Sequence, residues 1–289
     1  MAVITPTTAA LDIDQMWTPE LNRAIHFDLV LMNLLDDRSS QLPHGNILYM
    51  PTSHTQTAQT KTPGTDVTPE AITETRQTFT VATYQVVAQQ LEDISAIQSK
   101  YDLRAEITYA GSYALSRAQD VNAAVAIAVQ STQSVGTLGS ELTLDNLIRA
   151  RQYLKDSAAP GPFLGAVSPA TYGGFLKLDA LTNTDYTGDS TGSALADAHI
   201  GRILNTTYYE SQLLSGTAPN STGQVWSKAH FFKIIQQAPM THTWYSPFAL
   251  AWAVSMSQIY DAFTRNEADE AAVATTASNL WSVRLQAAK

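Results

Sequence analysis

Residues 51–78, PTSHTQTAQTKTPGTDVTPEAITETRQT, limit the fold more than any other part of the chain. The stretch holds ten threonines in twenty-eight positions and no aromatic residue. It cannot bury a core of its own. Threonine favours strands, so disorder is not the only outcome. Both flanks read as strands. Asn46-Ile47-Leu48-Tyr49-Met50 leads in, and Phe79-Thr80-Val81 leads out. Tyr84, Val86 and Ala88 then resume the alternation one residue out of phase, which predicts a bulge. Pro63-Gly64 supplies turn chemistry in the middle. Residues 46–90 therefore read as a long two-stranded ribbon whose tip leaves the body, with an ordinary flexible loop as the alternative. An isolated ribbon is marginal in water. This one makes sense if another molecule covers it.

The second constraint is residues 95–129. Leu103, Ile107, Ala110, Ala114, Ala118, Val121, Val125 and Ala128 recur at steps of three and four, and no proline interrupts them. One helix of this length spans roughly 50 Å, about the width of a compact globule of the whole chain. The subunit is then flat or elongated. A helix hairpin broken near Gly111 is the alternative. The stripe is narrow and alanine-rich, so a neighbouring layer can approach closely.

Residues 1–17 are small, rich in Thr and Ala, and read as an extended arm anchored by Met16 and Trp17. Thr18-Pro19-Glu20 is a helix start. Leu21, Ile25, Leu29, Met32 and Leu35 continue that helix, and Asp36-Asp37 ends it. Thr143 opens a helix carrying Leu144, Leu147, Ile148 and Leu154. Phe163 to Val167 reads as a buried strand. Ser168-Pro169 starts a short helix reaching about Leu178. Ile203 to Leu214 is strand-like, 215–223 a loop, and Phe231 to Ile235 another apolar stretch. Ser246-Pro247 begins an expected buried helix to Tyr260. The tail around Trp281, Val283 and Leu285 returns a strand to the body.

Charged residues are 15% of the chain and the net charge is −9. A gripping surface for nucleic acid needs clustered Lys and Arg. The longest basic grouping, Arg149, Arg151 and Lys155, reads as a solvated helix face. Few charges in a chain that is 44% apolar hint at surface covered by other protein. The chain has no cysteine, which excludes disulfides, thiolate metal sites and a cysteine nucleophile. Met1 to Gln15 lacks the regions of a signal peptide, and the apolar run Phe248 to Val254 is too short for a membrane span. A soluble, non-secreted protein is expected.

The six histidines, His26, His44, His54, His199, His230 and His242, show no metal-ligand spacing. The single Gly-x-Ser-x-Gly match, Gly188-Asp189-Ser190-Thr191-Gly192, lies in a polar loop rather than on a strand-to-helix elbow, and phosphate-loop motifs are absent. The carboxylate pairs Asp12/Asp14, Asp36/Asp37 and Glu92/Asp93 read as solvated caps. No catalytic residue, metal site or cofactor is expected.

In its order of elements the chain resembles the major capsid proteins of tailed bacteriophages, with their Hong Kong 97-like fold. The local anchors are Met16-Trp17-Thr18-Pro19-Glu20 before the first helix and His44-Gly45-Asn46-Ile47-Leu48-Tyr49-Met50-Pro51 at the ribbon's entry. The resemblance implies an α+β fold with an N-terminal arm and first helix (1–45), an extended loop (46–90), a spine helix of the peripheral domain (91–134), an axial domain (135–225) and a return to the peripheral domain (226–289). It implies assembly of copies of the chain as hexamers and pentamers into an icosahedral shell around DNA, without sequence-specific binding and without a membrane. Contacts between subunits are then expected from Trp17, His54, Lys61, Pro63, Gly64, Thr65, Arg76 and Phe79. Lys61 invites comparison with cross-linking lysines, although a lone exposed lysine ordinarily only solubilises. Some family members begin with a long helical scaffolding segment. None is visible in this sequence, so a separate scaffolding protein or a mature form is expected. Portal and decoration proteins are further expected partners, in a virion assembled in the host cytoplasm. An encapsulin-type nanocompartment shell shares the fold and is the nearest alternative. A tail or adhesin component, or an enzyme with a site built from distant positions, are readings of other classes.

Overall fold

The computed structural model describes residues 30–52, 58–67, 69, 71, 75–99, 102–131, 133–178, 202–214, 219–265 and 281–288. The arm and the start of the expected first helix lie outside them. A four-residue helix, α1 (Leu31–Leu34), comes first. Val30 before it has φ −123° and ψ −37° and stands at its N-cap. Its amide groups bind a side chain of another element. Asp120 accepts from Val30 N (2.7 Å), Leu31 N (3.2 Å) and Met32 N (2.8 Å). Asp36–Asp37 do not merely stop this helix. They form β1.

Two sheets and a ribbon make up the β-structure. The ribbon pairs β2 (Ile47–Thr52) with β3 (Thr75–Thr80) antiparallel. The expected ribbon to residue 90 ends earlier. After Val81-Ala82 the chain enters β4 (Thr83–Glu92), which pairs with β11 (Ala251–Thr264) in the body. The phase slip at 81–84 is thus a passage from one sheet to another, not a bulge. Asp261 holds this passage, accepting from Thr83 Oγ1 at 3.2 Å and Asn122 Nδ2 at 3.2 Å.

The expected helix 95–129 is two helices, α2 (Asp93–Gln98) and α3 (Leu103–Val129). α2 ends at Gln98 and α3 starts at Leu103, and α3 runs unbroken through Gly111. Asp102 caps α3 by accepting from the backbone N–H of Arg104 and Ala105, both at 3.1 Å. The 27 residues of α3 span about 40 Å. Its buried residues are Gly111, Leu115, Asp120, Ala123 and Ile127, not the apolar stripe read from the sequence. Val121, Val125 and Val129 are exposed. Polar residues direct the rotation of α3. Gln119 donates to Gln258 (2.7 Å), and Gln258 donates to the Leu115 carbonyl (2.9 Å) and to Gln85 (3.1 Å). At Gly111 a Cβ would overlap the tip of Met256, so glycine permits the close approach of helix and sheet.

The expected buried helix 246–260 is a strand. β10 (Phe231–Ser246) and β11 form a long antiparallel hairpin. β11 is central, flanked by β10 and β4, and α3 covers the face that carries Met256 and Gln258, whereas Ser255, Ile259 and Asp261 on the other face are only half-buried. Buried Ala251, Ala253 and Ser257 on that second face blur the period-two alternation that marks a half-buried strand. With β1 paired to β10, the sheet order is β1-β10-β11-β4.

The second sheet has six strands, β5 (Gln133–Gly136), β6 (Phe163–Val167), β7 (Arg202–Ile203), β8 (Thr206–Glu210), β9 (Asn220–Ser227) and β12 (Ser282–Ala288), in the order β5-β12-β9-β6-β8-β7. Part of the expected loop 215–223 is thus already strand. Helices α4 (Leu144–Asp156) and α5 (Pro169–Phe175) pack on it, each capped as its sequence predicts. Thr143 accepts from Asn146 N and Ser168 from Thr171 N. The main core lies here, with Phe163, Phe175, Trp226, Trp281 and Leu285 fully buried. The expected return of 226–289 to one domain divides. The β10–β11 hairpin belongs to the first sheet, whereas β12 sits inside the second.

The chain crosses between the sheets at Lys228–His230. His230 is buried and stacks on Trp281, with ring centroids 3.6 Å apart and an interplanar angle of 9°. Burial, with the Arg265 charge second, pushes its pKa down to about 4. The folded chain thus holds this imidazole neutral where the unfolded chain protonates it near 6.5. Stability from this residue is fully present above about pH 6.5 and is lost as pH falls toward about 4, by on the order of 3 kcal/mol. Unfolding free energies of the wild type and His230→Phe, measured across that window, should diverge, with the wild type falling more steeply. A second prediction concerns Gly136. Its φ is +90°, and a Cβ would collide with the Gln286 carbonyl. Gly136→Ala should lower the unfolding free energy by about 2 kcal/mol or more in denaturant titration.

Candidate assembly surfaces

The ribbon is anchored at its base and free at its tip. At the base Phe79 packs edge-on against Phe232, 5.0 Å between centroids, and against Phe263 at 5.5 Å. Leu42, Val81 and Ile234 complete this second cluster. Arg38 lies over Phe232 at 5.2 Å and its Nη1 donates to Met50 Sδ at 3.6 Å. Phe79 is only 8% exposed. Expected as a contact with a neighbour, it instead binds the ribbon to its own subunit, because a side chain already buried has no surface left to offer.

Farther out, Arg76 is exposed and its guanidinium sits 4.4 Å above the Tyr49 ring on the facing strand. Residues 58–67 are exposed throughout. Lys61, Pro63, Gly64 and Thr65 lie in this exposed segment, with a turn at Pro63-Gly64. Gly64 has φ +87°, and Thr65 folds back, its N–H and Oγ1 both donating to the Thr62 carbonyl (3.3 and 2.8 Å). Trp17 and His54 lie outside the described residues. Residues 58–67 therefore make no core, and among the described residues β2 and β3 have no further partner at either lateral edge.

Two other apolar surfaces were not foreseen as such. One is the outward face of α3, carrying Tyr109, Val121, Val125 and Val129. The other is the far end of the β10–β11 hairpin, where Trp244, Tyr245, Phe248, Leu250 and Trp252 are exposed beside Ile94 and Ile97 of α2. A readable signal existed for the second. No Asp, Glu, Lys or Arg occurs between Lys233 and Asp261. Exposed structure of that length without charge is unusual for a surface that meets only water.

The described residues offer no basic cluster. Arg149 pairs with Asp145 at 2.9 Å and Lys155 lies over Phe163 at 5.1 Å, on the exposed side of α4. No group of three or more His, Asp or Glu is placed to hold a metal ion among the described residues. No helix among them is long and apolar enough to cross a membrane.

A family model for phage capsid proteins matches residues 38–289. Curated proteins give no significant match. Among solved structures, a chain from Mycobacterium phage Che8 superposes with TM-score 0.80 at 18% identity, covering 94% of this chain and 96% of that one. The mature capsid of bacteriophage PhiM1 gives TM-score 0.71 at 15% identity, over 95% and 92%. The capsid of cyanophage P-SCSP1u gives 0.72 at 16%, over 98% and 94%.

Truncating the ribbon's anchor tests its role directly. Phe79→Ala should lower stability by about 3 kcal/mol and speed proteolysis within 58–67, whereas Thr65→Ala at the tip should change stability by less than about 0.5 kcal/mol.

The match over most of the chain and the superposition of nearly all of it agree: this chain belongs to the phage capsid protein family and has the Hong Kong 97-like fold.

Proposed function

We propose that the chain is the major capsid protein of a tailed phage, and that copies of it close into an icosahedral shell around the genome as hexamers and pentamers. One observation carries the mechanism. The ribbon is rooted in its own subunit through Phe79, yet its described outer residues 58–67 are all exposed, and β2 and β3 pair only with each other among the described residues. Laid across an adjacent copy, Lys61, Pro63, Gly64, Thr65 and Arg76 make many contacts, each weak and together sufficient. In this reading the four-stranded sheet with α3 is the peripheral domain. The six-stranded sheet with α4 and α5 is the axial domain, meeting its copies at each symmetry centre. Ring closure keeps such contacts from running on into fibres. A net charge of −9 suits an interior that encloses DNA without gripping it. The chain is structural and carries no catalysis. A separate scaffolding protein that guides shell size without being needed for closure, a portal and decoration proteins are its further partners, the host cytoplasm is the site of assembly, and the virion capsid is its destination.

Expression and negative-stain microscopy test the reading. Closed polyhedra are expected from the full chain, and uniform small particles at high concentration would overturn it. Replacing 53–74 with an Asn-Gly turn should leave stability within about 1 kcal/mol, because its described residues 58–67 are all exposed, while closed shells no longer form. Shells of unchanged yield from that variant would remove the ribbon from the mechanism.

A further inference from the structure

The far end of the β10–β11 hairpin carries a knob and a cleft side by side. Phe248 is the knob. It is 101% exposed, and no other described aromatic ring is so free of its own chain. The turn that presents it is held firmly. The Leu250 carbonyl accepts from Asp93 N at 3.0 Å, and Tyr245 donates its hydroxyl to Asp93 Oδ2 at 2.7 Å. Leu250 itself adopts φ +45°, a conformation costly for a residue with a side chain and kept only where its surroundings impose it. The phenylalanine is therefore presented, not trailing.

The cleft lies between α2, the start of α3 and β11. Leu91, Ala96, Leu103 and Trp252 form its walls, Asp102 and Arg104 its rim, and its volume is about 210 Å³. Apolar cavities of roughly 150 Å³ accept a benzene ring. Both rim charges are already engaged. Asp102 caps α3, and Arg104 lies 5.4 Å above the Trp252 ring while its Nη2 donates to Thr243 Oγ1 at 3.3 Å. Among the described residues the cleft thus offers an apolar slot and no spare charge for a polar ligand. The hairpin brings none either, since no charged residue lies between Lys233 and Asp261.

We propose that Phe248 of one copy inserts into the cleft of Leu91, Ala96, Leu103 and Trp252 on a second copy. Knob and cleft lie side by side at one end of the subunit, so either a reciprocal pair about a two-fold axis or a head-to-tail ring satisfies both. The inference rests on the shell reading and adds to it a second joint, away from the ribbon. Burying one phenylalanine is enough to shift an assembly equilibrium by ten-fold or more.

The absence of native cysteine makes the test direct. Phe248→Cys and Ala96→Cys chains, one of them mass-tagged, are co-assembled and treated with a short thiol-to-thiol cross-linker. A mixed dimer is expected from assembled particles, and neither variant assembled alone should yield a dimer. Intact particles without the mixed dimer overturn the joint while leaving the shell standing. Dimers from Phe248→Cys alone overturn it too, since they mean that two knobs meet each other. Failure of the wild-type chain to form particles would instead remove the shell reading itself. Without cross-linking, Phe248→Ser should raise the concentration needed for assembly roughly ten-fold by sedimentation, and Phe248→Leu should raise it far less. Equal behaviour of Ser, Leu and wild type would also overturn the joint.

Discussion

Gln258 is the point on which the long helix turns. It is fully buried in the central strand β11, and its amide reaches α3 on one side and the edge strand β4 on the other. Tyr260 adds a bond to the same Gln85 at 3.0 Å. A buried amide left without partners is costly, so each of these groups holds the others in place. The rotation of α3 follows from this network. With Gln119 turned to the sheet, Asp120 faces α1 and receives its three amides, whereas Val121 and Val125 turn outward. Shifting the helix by one residue would strand Gln258 and Asp120 together.

From that fixed helix the rest of the subunit is hung in two directions. Toward the six-stranded sheet, Ile127 accepts from Ser282 at 2.8 Å, tying the end of α3 to the start of β12. There His230 and Trp281 stack where the chain crosses between sheets. Toward the ribbon, Asn122 reaches Asp261, which governs the passage from β3 to β4. The ribbon is aimed by a small aromatic cluster at its root, while nothing described holds its tip. Rigid root and free tip suit a part that must find its place on another copy.

The same division shows in the chemistry of the surfaces. Charges are sparse along the hairpin, and apolar side chains are exposed on α3, on α2 and at the hairpin end. Each of these belongs to a subunit whose final surroundings are other subunits. A shell protein distributes its burial between folding and assembly, so part of its core-like surface faces outward until neighbours arrive.

Local chemistry was legible in the sequence wherever one residue acts on its own backbone or one segment lacks the means to fold alone. The caps Thr143 and Ser168, the buried strand Phe163 to Val167, the turn at Pro63-Gly64 and the ribbon between Ile47 and Thr80 all follow from such rules. The order of these elements carried the likeness to phage capsids, and the tip residues of the candidate surface came with it. Tertiary structure alone decided what depends on a partner distant in the chain. Ala251 and Ala253 on the less covered face of β11 blur its alternation, and without α3 in view on the other face the segment reads as a buried helix. The face of α3 was misplaced because glutamine, aspartate and asparagine mark it, and polar residues count as inward only when their hydrogen-bond partners are known. Phe79 was assigned to a neighbour for the same reason: its burial lies on Phe232 and Phe263, more than a hundred residues away, and no local pattern records such a contact.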